Sequence, residues 1–130
     1  MDEIRIGLIG CGGMARTHQG AFRQLAGQAR VTATADTDIE RARAAADVLG
    51  AAKAVTDYRE ILDDVDAVLT VLPHHLHHPI NKDCLEAGKH VLSEKPLANT
   101  EGECLDLIHT AQARDLVLMT AYCMRFHPLT

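Results

Sequence analysis

The chain has 130 residues and a mass of 14.1 kDa, the size of one ordinary domain. Hydrophobic residues make up 47% and charged residues 24%, which supplies a core and excludes disorder as the dominant state. The formal net charge of −5 argues against a basic nucleic-acid surface. No apolar run approaches the roughly 18 residues that span a bilayer. The acidic N-terminus also lacks the basic start of a secretory signal.

The cysteines lie far apart and form no CxxC pair. They are Cys11, Cys84, Cys104 and Cys123. This spacing predicts free thiols in a reducing compartment, not a disulfide framework or a zinc site. We therefore expect a cytoplasmic protein.

Strands and helices are predicted to alternate along the whole chain. Strands are expected over residues 4–9, 31–35, 54–55, 66–72, 90–93 and 116–120, and helices over 14–25, 39–49, 58–62, 79–87 and 100–114. Asp38 and Gly50 are suited to begin and end the second helix, and Thr100 with Glu103 can form a capping box. The alternation predicts an α/β fold: a doubly wound, mostly parallel sheet of about six strands with helices on both faces.

A glycine-rich loop joins the first strand to the first helix. Its residues Gly10-Cys11-Gly12-Gly13-Met14-Ala15 follow the G-x-G-x-x-A pattern of dinucleotide-binding loops. Gly10 permits the tight turn, Gly12 lets the backbone approach a pyrophosphate, and Ala15 lets the helix pack close to the strand. The first helix also offers free N–H groups to the phosphates. We predict that the whole loop binds a dinucleotide.

An acidic residue stands where such a site binds the adenosine ribose. Asp36 lies 21 residues after Ala15, at the end of the second predicted strand. Its carboxylate would repel a 2′-phosphate, and neither Thr37 nor Asp38 supplies an arginine. The sequence therefore predicts NAD, with NADP the less favoured cofactor. The alternative is an ordinary tight turn and an unrelated, solvent-facing aspartate.

A histidine-rich segment follows the fourth predicted strand. In Leu72-Pro73-His74-His75-Leu76-His77-His78-Pro79, His74 and His78 are four residues apart, a spacing that suggests a metal site. A third ligand is missing nearby, and Pro79 disfavours a helix through both histidines. We therefore predict no metal, and interpret the segment as the polar rim of the cofactor site near the ring end of the cofactor.

Glu94-Lys95-Pro96 follows the next strand and should reach the same edge of the sheet. The Lys95 ammonium could polarise a carbonyl or hydroxyl oxygen on which negative charge develops. Glu94 could orient Lys95 or touch the nicotinamide ribose, and Pro96 could follow a cis bond. The alternative is a solvated surface pair.

Four stretches together resemble the Gfo/Idh/MocA family of NAD(P)-dependent oxidoreductases. They are IRIGLIGCGGMARTH, ATADTD, DAVLTVLPHHLHHPINKDCLEAGKHVLSEKPLANT and YCMRFHP. The resemblance implies a Rossmann fold, with the pyrophosphate on the glycine loop and the adenosine ribose on Asp36. It implies further cofactor contacts by Leu72, Pro73, His74, His77, Glu94, Lys95 and Arg125, with Lys95 also the catalytic residue. His74 stands where the family often has asparagine.

The resemblance also implies a division of the protein. Family members resemble two-domain enzymes, so residues 1–122 are expected to form the nucleotide-binding domain, and 123–130 the start of the crossing to a substrate domain. The implied activity is hydride transfer between a nicotinamide cofactor and a sugar, inositol or related polyol. This chain by itself is expected to lack that activity. A homo-oligomer is also expected, because apolar surface around 116–124 would be exposed.

Two other functions stay open at this stage. One is a stand-alone NAD-binding or redox-sensing module, in which the helix N-terminus lowers the pKa of the Cys11 thiol. The other is NAD-assisted hydrolysis or elimination, in which a hydride leaves the substrate and returns to it.

Overall fold

The computed structural model describes residues 2–128, except the side chains of Cys123 and Met124. Its strands are β1 (Ile4–Ile9), β2 (Ala29–Ala35), β3 (Lys53–Val55), β4 (Ala67–Thr70), β5 (His90–Glu94) and β6 (Leu118–Ala121). Its α-helices are α1 (Gly13–Gln24), α2 (Ile39–Leu49), α3 (His77–Glu86) and α4 (Glu101–Ala113). Short 3₁₀ turns cover Tyr58–Asp64, His74–Leu76 and Cys123–Phe126.

The strands form one parallel sheet in the order β3-β2-β1-β4-β5-β6. The chain starts at β1, runs outward to β3, and then crosses back to β4. The strand order therefore reverses between β1 and β4, and ligands of such sheets bind in the crevice at that point. The predicted doubly wound α/β fold is confirmed.

Helices cover both faces of the sheet, and each face has its own core. On one face, α3, α4 and the first 3₁₀ turn bury Leu85, Leu107 and Ile61 completely. On the other face, α1 and α2 contribute the small residues Ala15 and Ala45. The small side chains bring these two helices close to β1 and β2.

Local side chains cap the N-termini of α2 and α4. The Asp38 carboxylate accepts the Glu40 N–H, and Gly50 ends α2 with a φ of 73°. The predicted capping box of α4 is half correct, because Thr100 Oγ1 accepts the Glu103 N–H at 3.1 Å. The Glu103 carboxylate, however, accepts from the N–H of Asn99, one residue earlier than a capping box requires.

Several predicted boundaries shift for physical reasons. Helix α3 begins at His77, because Pro79 falls in the first turn, where no N–H is required of it. Strand β6 begins at Leu118, because the Leu116 N–H instead closes the end of α4 on the Ala111 carbonyl at 2.9 Å. Strand β4 ends at Thr70, two residues before the predicted end.

The remaining sequence expectations concern the surface and the chain ends. Val117, Met119 and Tyr122 are exposed, as expected of the apolar surface around β6, although the side chain of Met124 lies outside the described residues. Cys11, Cys84 and Cys104 are free thiols, and the side chain of Cys123 is not among those described. Within 2–128, no helix is both long and apolar enough to cross a membrane. The predicted ranges 1–122 and 123–130 extend onto Met1, Leu129 and Thr130, which also lie outside the described residues.

Candidate functional site

A cavity of about 480 Å³ opens at the carboxyl edge of the sheet, where the strand order reverses. Its glycine-loop end is lined by Gly10, Gly12, Gly13, Met14 and Asp36, and its lysine end by Leu72, Pro73, His74, Glu94 and Lys95. Because Asp36 follows β2 and Glu94 ends β5, the two ends lie on opposite sides of β1 and β4. The structure therefore brings together most of the residues that the sequence singled out.

Gly10 can only be a glycine. Its φ is +93°, and a Cβ built on it would lie 2.1 Å from the Val71 carbonyl oxygen. The crossing from β1 to α1 thus passes directly against the end of β4.

Gly12 and Gly13 are different, because a Cβ on either would meet no atom within 4 Å. Both glycines line the cavity, so the missing side chains leave open space above the backbone. Gly12 also caps α1 without a side-chain hydrogen bond, and the first turn of α1 holds no acidic residue. This turn, which the structure describes in full, thus carries no acidic side chain of its own that would compete with a phosphate for its N–H groups.

Asp36 ties the loop to the start of α2. Its Oδ2 accepts the Cys11 N–H and its Oδ1 accepts the Asp38 N–H, each at 2.8 Å. Each carboxylate oxygen keeps a further lone pair for a ligand hydroxyl. The alternative of an unrelated, solvent-facing aspartate does not fit these bonds.

Cys11 faces the core. The residue is buried, and its Sγ lies 3.5 Å from the Ala35 carbonyl oxygen. Burial, aided by the nearby charge of Asp36, raises the pKa of the Cys11 thiol to about 12. The expected lowering of this pKa is wrong, because burial disfavours the charged thiolate and the Asp36 charge adds to that effect. The redox-sensing alternative thus loses the thiolate on which it depends.

The sequence reasoning missed several residues beside Asp36. They are Thr37, Arg41, Thr56 and Tyr58. Arg41 could have been found, since the predicted N-cap at Asp38 places it one helical turn later, and its Nε lies 3.6 Å from the Asp38 carboxylate. No local signal marks Tyr58, whose hydroxyl bonds to Asp83 on α3 and whose pKa is raised mainly by burial.

At the lysine end, one more residue that the sequence reasoning missed supports Glu94. The His18 Nε2, on α1, lies 2.9 Å from the Glu94 carboxylate, whose side chain is only 12% exposed. Lys95 differs, because within residues 2–128 its ammonium has no hydrogen bond or ion pair. The Lys95–Pro96 bond is cis, as the sequence allowed. Lys95 thus presents a free cation to the cavity.

Four predicted site residues do not line the cavity: Cys11, Ala15, His77 and Arg125. Ala15 is fully buried against the sheet, where it performs the predicted packing role. His77 is also fully buried, because it begins α3 and turns into the core. Arg125 lies exposed in the last 3₁₀ turn, beyond β6.

The paired histidines of the 72–79 segment face different partners. The His78 Nε2 lies 2.8 Å from the Asp106 carboxylate on α4, whereas His74 lines the cavity. In the described part of the chain, no three His, Cys, Asp or Glu side chains are placed to share a metal ion.

Comparison with known proteins identifies the family. Residues 4–122 match the model of the Gfo/Idh/MocA oxidoreductase family, described as an NAD-binding Rossmann fold. The chain belongs to this family.

Its relatives include enzymes of several kinds. Over 130 residues it is 38% identical to inositol 2-dehydrogenase 1 of Saccharopolyspora erythraea, covering 96% of this chain and 38% of that protein. It is 39% identical over 138 residues to glycosyl hydrolase family 109 protein 2 of Shewanella sp., covering 95% and 30%. A 3-ketoreductase from Actinomadura kijaniata, solved with NADP, superposes with a TM-score of 0.91 at 37% identity, covering 98% and 41%. The chain thus spans well under half the length of each.

Proposed function

We propose that this Gfo/Idh/MocA chain is the NAD-binding domain of an oxidoreductase that acts on a sugar, inositol or related polyol. The observation that carries the proposal is the cavity itself, with a glycine loop facing open space and Asp36 hydrogen-bonded to that loop. The substrate class rests on the named activities of relatives such as the inositol dehydrogenase.

The residues present fit a dinucleotide. Gly12, Gly13 and the first turn of α1 would hold the pyrophosphate, since they combine open space with helix N–H groups in a turn that bears no acidic side chain of its own. Asp36 would accept the hydroxyls of the adenosine ribose. The lysine end then receives the nicotinamide half, which supplies the hydride chemistry when it is bound.

Lys95 is the residue that we assign to the substrate. Its ammonium has no partner in the described residues, so it is available to an oxygen of a bound polyol. There it would stabilise negative charge that develops as the hydroxyl is oxidised. Glu94 is held by His18 instead and would keep its carboxylate in a fixed place beside this cation.

The preference for NAD over NADP follows from charge. A 2′-phosphate would lie beside the Asp36 carboxylate, whose two bonds to backbone N–H groups hold it in place. Arg41 lines the same end and offsets part of this repulsion, although it also pairs with Asp38. We therefore expect NAD to bind roughly tenfold more tightly than NADP. NADP should still bind to the site.

Calorimetric titration of the chain with NAD and with NADP tests the proposal. We expect saturable binding of NAD, weaker binding of NADP, and loss of the preference in Asp36→Ala. Arg41→Ala is the matched variant, and it should weaken NADP more than NAD. A folded sample that binds neither dinucleotide would refute the proposal, whereas tighter NADP binding would refute only the preference.

A second candidate reaction is supported by the similarity to the glycosyl hydrolase of Shewanella. In such a reaction the hydride leaves the sugar and returns to it, so that NADH does not accumulate. In a protein that carries this domain, steady NADH formation with a polyol would favour net oxidation, and release of a free sugar without NADH would favour the second candidate.

A further inference from the structure

A chain of four polar side chains runs through the core directly behind the lysine end of the cavity. This buried polar chain consists of Thr70, Asn81, Ser93 and His77, each 0% exposed. The surrounding core is apolar, with Val68, Leu85 and Val91 among its members. Polar groups placed there need a full set of partners, because an unpaired one is costly.

The first half of the buried polar chain links two neighbouring strands. Thr70 on β4 and Ser93 on β5 are partners in the parallel register, and Asn81 on α3 bridges them. The Thr70 hydroxyl donates to Asn81 Oδ1 at 2.8 Å, and Asn81 Nδ2 donates to Ser93 Oγ at 2.9 Å. One amide thereby fixes the ends of both strands relative to α3.

The second half reaches the backbone of the site. Ser93 Oγ lies 3.1 Å from the Glu94 carbonyl oxygen and 3.3 Å from His77 Nδ1. His77 Nε2 donates to the Leu72 carbonyl oxygen at 2.8 Å. The buried polar chain thus ends on the two segments that form the lysine end, Leu72-Pro73-His74 and Glu94-Lys95.

We propose that Thr70, Asn81, Ser93 and His77 are positioning residues for the nicotinamide half of the cofactor, holding these two segments at a fixed separation. The inference rests on the proposed function and assigns His77 a role behind the site instead of a direct contact. A hydrogen-bonded network of this kind specifies one arrangement of the groups around it, whereas apolar packing constrains that arrangement less. Among the described residues, the glycine-loop end makes no hydrogen bond to the buried polar chain.

The experiment compares NAD with ADP-ribose, which lacks the nicotinamide ring. Both are titrated calorimetrically into the wild type, Ser93→Ala, His77→Leu and His77→Gln, and the emission of bound NADH is recorded for each. We expect Ser93→Ala and His77→Leu to weaken NAD roughly three- to tenfold, to leave ADP-ribose within about twofold, and to shift the NADH emission. His77→Gln should recover part of the loss, because its amide can still donate to the Leu72 carbonyl.

Thr34→Val is the matched control. Thr34 is equally buried and donates to the Ala42 carbonyl at 2.7 Å, but it lies on β2, away from the lysine end. It should lower the unfolding temperature without changing the ratio of the NAD and ADP-ribose affinities. If His77→Leu does not fold, Ser93→Ala and His77→Gln still decide the question.

The outcomes separate the two proposals. A wild type that binds neither ligand refutes the proposed function and this inference with it. A wild type that binds both, with folded variants that keep its affinity ratio and NADH emission, overturns the positioning role alone. Equal weakening of NAD and ADP-ribose would also overturn it, because the effect would then be general.

Discussion

The two ends of the cavity are built by different means. At the glycine-loop end the backbone makes the shape: Gly10 passes against the Val71 carbonyl, and Gly12 leaves space open. At the lysine end side chains make the shape, and they depend on others behind them, as Glu94 depends on His18. The first end is encoded in the consecutive residues of one loop together with Asp36 at the end of β2, whereas the second requires residues brought together from α1, α3, β4 and β5.

The sharpest test of this contrast is a pair of alanine substitutions in the loop. Gly10→Ala should lower the free energy of unfolding by roughly 2–5 kcal/mol, because it combines a positive φ with a clash against backbone. Gly12→Ala should cost about 0.5 kcal/mol, since its Cβ meets nothing. Gly12→Ala should nevertheless weaken NAD at least roughly tenfold, because the methyl group occupies the space above the backbone.

Denaturant unfolding and calorimetry measure both quantities. A stable Gly10→Ala, or a Gly12→Ala that binds NAD as the wild type does, would break the distinction between a glycine required by the fold and one required by the ligand.

This difference also explains what could be predicted from the sequence. The loop, Asp36 and strand β4, whose end was predicted two residues too late, were found because each leaves a local pattern. His77 was also found as a residue, but its complete burial was not foreseen, because the start of α3 decides that its ring turns inward. His18 left no local signal, since its partner Glu94 lies 76 residues away.

At the glycine-loop end, the buried thiol of Cys11 is expected to react slowly with alkylating reagents. Burial raises the pKa of the Cys11 thiol to about 12, so little thiolate forms at pH 8 and alkylation should be at least roughly tenfold slower than that of an exposed cysteine. Peptide mapping after iodoacetamide treatment of the native chain measures this, with the more exposed Cys104 as internal control. Rapid labelling of Cys11 that NAD prevents would restore the redox-sensing alternative.

At the lysine end, substitution of His18 tests whether the Glu94 carboxylate needs its partner. His18→Leu removes the partner of a largely buried carboxylate, so we expect the free energy of unfolding to fall by about 1 kcal/mol and NAD to bind about fivefold more weakly. His18→Gln keeps a hydrogen-bond donor and should lose less of both. Equal NAD affinity in all three proteins would mean that the Glu94 carboxylate needs no support.

The smallest effect is expected at the opposite edge of the sheet, where an ion pair lies away from both ends of the cavity. Arg5 on β1 donates to the Asp66 carboxylate through its backbone N–H and its guanidinium, at 2.8 to 3.2 Å. These hydrogen bonds lower the pKa of Asp66 from 3.8 to about 2. Because the lowered pKa belongs to the folded state, the stabilisation is complete above about pH 4 and is lost as the pH falls towards 2.

Asp66→Asn should therefore lower the free energy of unfolding by less than about 1 kcal/mol at pH 6, since the side chain is well exposed to solvent. The difference from the wild type should shrink as the pH falls from 4 to 2, because a protonated Asp66 resembles the asparagine. Denaturant unfolding across this range measures it. The NAD affinity should stay unchanged at pH 6, because Asp66 precedes β4 at the end far from the cavity; a loss there would mean that the two edges of the sheet are coupled.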